Sequence, residues 1–214
     1  MQSKINLLHL ITGLGCGGAE KMVYQLCKYS DKTQFNISVV SIDDTDYFFS
    51  KLKKLQIKVS KLGLKKNPLS FCNGILSLNK FIRKYKIQII HAHLFHAMAM
   101  ACIMKVLNPK IIILWTSHSS RMISISRFVI AYFGRLLRTR DVILQPHLQS
   151  WYNTSIISVI PNAVELPFES KLLTKFDIFT FISVGSLSKV KNHIFLIDFC
   201  VHKIQPFTFS IHLF

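Results

Sequence analysis

Strand-like and helix-like stretches alternate along almost the whole chain, and that alternation constrains the fold more than any other feature. "INLLHLIT" (5–12) is apolar on both faces, as a buried strand is. After a run of glycines, Ala19, Met22, Val23, Leu26 and Cys27 recur at helical spacing. "FNISVVSI" (35–42) reads as a strand, "YFFSKLKKL" (47–55) as a short helix and "IKVSKL" (57–62) as a short strand. "NPLSFCNGILSLNKFIRKYK" (67–86) opens on Asn-Pro and closes on basic residues, as helices do. "IQIIHAH" (87–93) and "KIIILWTSH" (110–118) are strands, each followed by a helical pattern, over 96–107 and 122–139. "DVILQ" (141–145), "ISVIPNAV" (157–164) and "FDIFTFISVGSL" (176–187) are further strands, and "KNHIFLIDFC" (191–200) opens another helix. The pattern predicts an α/β fold, a doubly wound parallel sheet of Rossmann-like type.

The alternation pauses at "PNAVELPFESKLLTK" (161–175), which is polar and holds two prolines. A boundary is expected there, giving a domain over 1–165 and a second segment over 166–214. That segment is expected to hold one strand and one helix, too little to bury a core alone. The last 15 residues, "CVHKIQPFTFSIHLF", break the helical pattern with Pro206 and alternate Phe with Thr and Ser. They suggest a chain cut short, or one that has left its original reading frame.

The glycines lie between the first strand and the first helix. Gly13, Gly15 and Gly18 fit G-x-G-x-x-G, and Gly17 adds a fourth glycine. Such a turn points backbone N–H groups outward where the helix dipole is positive, a place for a phosphate. Asp43 and Asp44 follow the second strand, where a dinucleotide fold holds a ribose, so an NAD(P)-dependent oxidoreductase survives this test. A Walker loop does not, because no Gly-Lys-Ser/Thr follows. His91 and His93 share one face of a strand end, with His96 beyond. A zinc site would need more ligands than the nearby residues supply, so these histidines read as cleft-lining. His118 ends the next strand, at the sheet edge where doubly wound folds bind ligands. Asn162 follows Pro161 in a tight turn, and Lys189 and Lys191 open a helix after a glycine turn, where cations suit an anionic ligand.

Charge narrows the partners. The net charge is +17, and no Asp or Glu occurs between Asp46 and Asp141, a span carrying 18 Lys and Arg. Such a surface seeks phosphate, in a lipid headgroup, a nucleic acid or a substrate. No nucleic-acid-binding motif accompanies the charge, so nucleic acid is not expected. "NKFIRKYK" and "SRFVIAYFGRLLRTR" could lie on an anionic leaflet, apolar side down. Five scattered cysteines without a CxxC pair suit a reducing compartment. Neither a signal peptide nor a run of about 18 uncharged apolar residues is evident, so a cytoplasmic protein is expected, peripheral on the inner face of a membrane.

Five segments together resemble the retaining nucleotide-sugar glycosyltransferases of GT-B fold known as family 4. They are "GGAE" (Gly17, Gly18, Ala19, Glu20), "QIIHAH", the Thr-x-His of Thr116 to His118, "VIPNAVE" and "VGSLSKVKNH". The resemblance spans residues 4 to about 199 and departs from the family pattern at Ala163 and Ser186, where the family has Gly and Arg. It implies an N-terminal acceptor-side domain and the start of a donor-binding domain. It implies transfer of a sugar from a nucleotide sugar to a glycan or lipid-linked acceptor of a surface polysaccharide. Gly17 and Gly18 would approach the donor diphosphate, His118 would lie by the reacting sugar, and Lys191 would clasp the diphosphate, with Lys189 the candidate substitute for the missing Arg. Glu20, His93 and Asn162 would line the acceptor side of the cleft. No metal or cofactor is implied, because cations and helix ends stabilise the leaving group. The family's later glutamate pair has no counterpart here, so weak or no turnover is expected. The alternative classes are a non-catalytic module that binds a membrane surface or a partner and, further off, the oxidoreductase.

Overall fold

A computed structural model describes residues 3–118, 124–145, 156–163, 165, 179–183, 185, 192–203 and 209–213. Two compact units divide the chain, residues 1–163 and 164–214.

Among the described residues the first unit carries seven strands: β1 (Ile5–Ile11), β2 (Phe35–Ser41), β3 (Lys58–Lys61), β4 (Ile89–His93), β5 (Ile112–Ser117), β6 (Arg140–Ile143) and β7 (Ile157–Val159). They form one parallel sheet in the order β3-β2-β1-β4-β5-β6-β7. The helices are α1 (Gly18–Tyr29), α2 (Phe49–Lys54), α3 (Pro68–Lys84), α4 (Phe95–Leu107) and α5 (Ile125–Gly134), the last followed by a 3₁₀ turn at Arg135–Leu137. This is the Rossmann-like α/β architecture that the alternation predicts.

Side-chain parity along the strands puts helices on both faces. Ile11, Ile37 and Val39 point to one face and pack with Val23 and Cys27 of α1 and Leu52 of α2. Leu8, Leu10, Ile90, Ala92, Ile113 and Trp115 point to the other and pack with Leu78 and Ile82 of α3, the apolar side of α4 and Ala131 of α5. The chain changes face between β3 and α3, so the sheet's topological switch lies between β1 and β4. Crevices outside the carboxyl ends of strands at such a switch are where doubly wound sheets bind ligands.

Local chemistry explains several boundaries. Asn67 caps α3 by accepting from the Ser70 N–H at 2.7 Å, with Pro68 at the first helical position and Arg83 and Lys84 in the last turn. α5 ends sooner than its 122–139 periodicity suggests. Arg138 turns inward and donates from Nε and Nη2 to the two oxygens of Asp141 at 2.6 and 2.7 Å. Its Nη1 donates to the Ala131 carbonyl at 2.8 Å, and the guanidinium lies over Trp115. This buried fork ties the end of α5 to β6.

The second unit corrects one expectation. Beside β8 (Phe179–Ser183) and α6 (His193–Lys203), residues Phe209–Leu213 form a further strand, β9, paired in parallel with β8. Phe209 and Ser210, part of the alternation that follows Pro206, lie in this strand. α6 runs to Lys203, and the segment is a β-α-β unit rather than a lone strand and helix.

Candidate functional site

The loop after β1 meets the turn after β2 and is stitched to it. The Asp43 N–H donates to the Thr12 carbonyl at 2.8 Å, the Leu14 N–H to Thr45 Oγ1 at 2.9 Å and the Phe48 N–H to the Leu14 carbonyl at 2.9 Å. Gly13 is required by this contact, since a Cβ there would run into Thr45 Oγ1 and both Asp43 carboxylate oxygens. Asp43 is itself engaged, accepting from the Thr45 N–H at 3.0 Å and from Oγ1 at 2.6 Å. Asp43 thus turns Oδ1 to its own turn, while Asp44, the other acid after β2, is exposed.

The bonds to the β2 turn end at Leu14, and the rest of the loop differs. Gly17 caps α1 in an extended conformation that any residue adopts, φ −85° and ψ 172°. A Cβ on Gly18 would meet nothing within 4 Å. Packing therefore does not demand a glycine at Gly18, and the space beside it is open at a helix N-terminus. Glu20, in the first turn, folds its carboxylate over Gly17, the geometry of a residue reaching back toward a helix start.

Four histidines gather at the β1–β4–β5 carboxyl ends. Parallel register sets His9 of β1 opposite His91 of β4, and Ile11 opposite His93. His9 Nδ1 lies 3.1 Å from His93 Nε2, and His93 Nδ1 lies 3.2 Å from His118 Nε2. His91 Nε2 lies 2.7 Å from Thr116 Oγ1 of β5. His9 and His93 are buried, while His91 and His118 are half-buried. Burial pushes His9 and His118 down to about 4, and burial with mutual repulsion holds His91 and His93 well below the ordinary imidazole range. All four are neutral at pH 7, so each hydrogen bond between them has one N–H donor and one bare acceptor. Two buried polar atoms of β1 and its loop, His9 Nε2 and Thr12 Oγ1, have no hydrogen-bond partner among the described residues.

The chain leaves β4 through a strained residue. Leu94, directly after His93, has φ +71° and ψ 170°, a region otherwise occupied by glycine. Such strain concentrates at functional turns. Here it holds His93 at the strand end while Leu94 packs with the Ile11 and Leu14 cluster.

Of the residues singled out by sequence, the structure brings His93 and His118 into contact and places Gly17, Gly18 and Glu20 on the neighbouring loop and helix. His96 is exposed on α4 and does not join the cluster. Asn162 is exposed after β7, at the sheet edge three strands from β4, about 14 Å away by strand spacing. Lys189 and Lys191 lie outside the described residues. In the second unit His193 opens α6 with its Nδ1 3.1 Å from Ser183 Oγ of β8. Sequence reasoning missed His9. A histidine inside an apolar strand is unremarkable until register sets it across from the HxH strand.

Comparisons with known proteins bear on this geometry. The family model of glycosyltransferase family 4 matches residues 16–167. No curated protein matches the sequence. Among solved structures, Anabaena Alr3699/HepE, in complex with UDP and glucose, superposes with a TM-score of 0.75 at 15% identity, over 98% of this chain and 60% of that one. A glycosyltransferase from Rickettsia africae gives 0.73 at 17%, over 99% and 60%. The lipopolysaccharide outer core galactosyltransferase WaaB, in its apo form, gives 0.71 at 15%, over 98% and 60%. At these identities the likeness shows the fold, and the chain spans about 60% of the length of these structures. The family match covers well over half of the chain, from Cys16 in the glycine loop through β2 to β7: the chain belongs to glycosyltransferase family 4.

Proposed function

We propose that this chain carries the acceptor-side half of a glycosyltransferase. The enzyme moves a sugar from a nucleotide-sugar donor to a surface-polysaccharide or lipid-linked acceptor, with retention at the anomeric carbon. The observation that supports it most is the open space at Gly18 beside a helix N-terminus, next to the histidine chain at the sheet's switch point. In this reading the diphosphate settles against Gly17 and Gly18, where N–H groups and the dipole of α1 stabilise developing negative charge. Neutral His118 offers a hydrogen bond to a hydroxyl of the reacting sugar, its orientation fixed through His93. Lys189 and Lys191 complete the diphosphate grip, and Glu20, His93 and Asn162 belong to the acceptor side. The transfer itself needs no metal or organic cofactor. HepE, the complex with UDP and glucose, is the compared structure whose ligands fit this scheme.

The test is binding: tryptophan fluorescence of the full chain titrated with UDP, with NADH as control. Saturable quenching by UDP, weakened about tenfold in Gly18→Ala, is expected. Saturation by NADH and not by UDP would sink the proposal in favour of the oxidoreductase.

A second reading, a basic module that docks on the inner leaflet of a cytoplasmic membrane, is favoured by α5. Ile125, Phe128, Val129, Ile130, Tyr132 and Phe133 are exposed there, with Leu136 beyond, beside Arg127 and Arg135. The two readings are compatible, since a lipid-linked acceptor requires the enzyme at the membrane. Among the described residues no helix is long and apolar enough to cross a membrane.

A further inference from the structure

His9, His91 and His93 each offer one ring nitrogen, and these three atoms lie within 4.8 Å of one another at the β1–β4 seam. We propose that they form a binding site for a borderline-soft divalent transition-metal ion of the Zn²⁺ class, one that shares His93 with the proposed acceptor side but is argued without the sugar-transfer reading.

The donor set has the right chemistry. Three imidazoles with one open position is an established Zn²⁺ ligand set, and imidazole selects Zn²⁺, Co²⁺, Ni²⁺ and Cu²⁺ over Mg²⁺ and Ca²⁺. The spacing is close to what an ion needs. Ligands about 2.1 Å from a tetrahedral ion stand roughly 3.4 Å apart, and His9 Nδ1 and His93 Nε2 already stand at 3.1 Å. Closing the third side takes a small shift of His91, which is half-buried. The strands supply the rigidity, because His9 and His91 are register partners and His93 follows two residues on.

Two of the three ligands also have their outer partners in place. Ligating histidines almost always rest their second nitrogen on a hydrogen-bond partner. His91 rests Nε2 on Thr116 Oγ1, which leaves Nδ1 for the ion, and His93 rests Nδ1 on His118 Nε2, which leaves Nε2. His9 turns Nδ1 toward the same point, and its buried Nε2, which has no hydrogen-bond partner among the described residues, is the one second nitrogen of the three left unsupported. Binding has a consequence one residue further out. An ion on His93 Nε2 forces the His93 proton onto Nδ1, which then donates to His118 Nε2 and fixes the tautomer of His118. The competing arrangement is a bare hydrogen-bonded chain, His9–His93–His118, with no ion.

The test titrates the full chain, freed of any affinity tag, with ZnCl₂ by calorimetry and with CoCl₂ by visible absorption. One ion per chain is expected, with the intense visible bands of tetrahedral Co²⁺. His91→Gln is expected to weaken Zn²⁺ binding at least about 100-fold, and His118→Ala, an outer partner, about tenfold. Absence of stoichiometric binding, a weak octahedral Co²⁺ spectrum, or affinity unchanged in His91→Gln would each overturn the proposal. The last would assign the ion to surface histidines such as His96 or His202. Should the variants fail to fold, the Co²⁺ spectrum of the unaltered chain decides. None of these readouts depends on nucleotide-sugar binding, so the site and the sugar-transfer reading can fail separately.

Discussion

Four glycines stand in one loop, and two of them owe their identity to different causes. Gly13 is held by its neighbours: any Cβ meets Asp43 and Thr45, and Asp43 cannot retreat without releasing the Thr45 N–H. Gly13→Ala is therefore expected to lower stability by about 1–3 kcal/mol, as overpacking does. Gly18 begins a helix with open space around it, so Gly18→Ala is expected to raise stability by about 0.4–1 kcal/mol by restricting the unfolded chain. Thermal melts of the pair check both signs; a destabilised Gly18→Ala would show that the position is packed after all. The cysteines divide in a similar way. Burial pushes the Cys27 thiol up to about 12, and Cys102 is raised by burial as well, whereas Cys16 and Cys72 are exposed. Near pH 8 a thiol reagent is expected to modify Cys16 and Cys72 in the folded chain and to reach Cys27 only on unfolding. Rapid labelling of Cys27, read by mass spectrometry, would contradict its place between α1 and the sheet.

Among the elements, the join between α5 and β6 rests on one ion pair. Arg138 and Asp141 are both almost wholly buried and engage through two bonds, with a third to the Ala131 carbonyl. Removing either partner leaves a buried charge alone, so Asp141→Asn or Arg138→Met is expected to cost about 3–5 kcal/mol. Replacing both with apolar residues should recover most of that loss, and a double-variant cycle by denaturant titration measures it. An Asp141→Asn chain as stable as the original would show that the pair contributes little. This pair also marks how far the sequence could be read. Strand and helix order was legible because apolar residues repeat at two and at 3.6, from Leu8 and Leu10 to Leu78 and Ile82. The pair was not, because Arg138 and Asp141 look like ordinary loop charges until the chain turns between them. In the same way the HxH strand was legible as a cleft-lining motif, but its partner His9 was not. Which strand lies beside β4 is a matter of topology, and the hydrophobic pattern carries no information about it. β9 was hidden by Pro206, which ends one pattern a few residues before the next begins.

On the scale of the molecule, charge and apolar exposure coincide. The stretch between Asp46 and Asp141 holds no acidic residue, and within it α5 exposes Ile125 at 84% and Leu136 lies just beyond at 80%. Vesicles containing anionic lipid are expected to sediment the full chain at low salt and to release it as salt rises past about 0.15 M, where the screening length falls to about 8 Å. Ile125→Ser with Leu136→Ser should reduce binding without changing its salt dependence. Equal binding to neutral vesicles would exclude a role for the basic residues. The strand order has a different consequence, one of timing. β1 is made first yet lies between β2 and β4, so the sheet consists of two halves, β3-β2-β1 and β4-β5-β6-β7, joined along a single seam. About fifty residues separate the end of β2 from the end of β4, roughly 3–10 s of synthesis at ordinary rates. Through that interval β1 can pair with β2 while its other edge, with His9, waits in water. The seam that carries the candidate site is therefore the last of β1's contacts to close, and agents that bind unpaired strand edges compete with β4 for it before any ligand can.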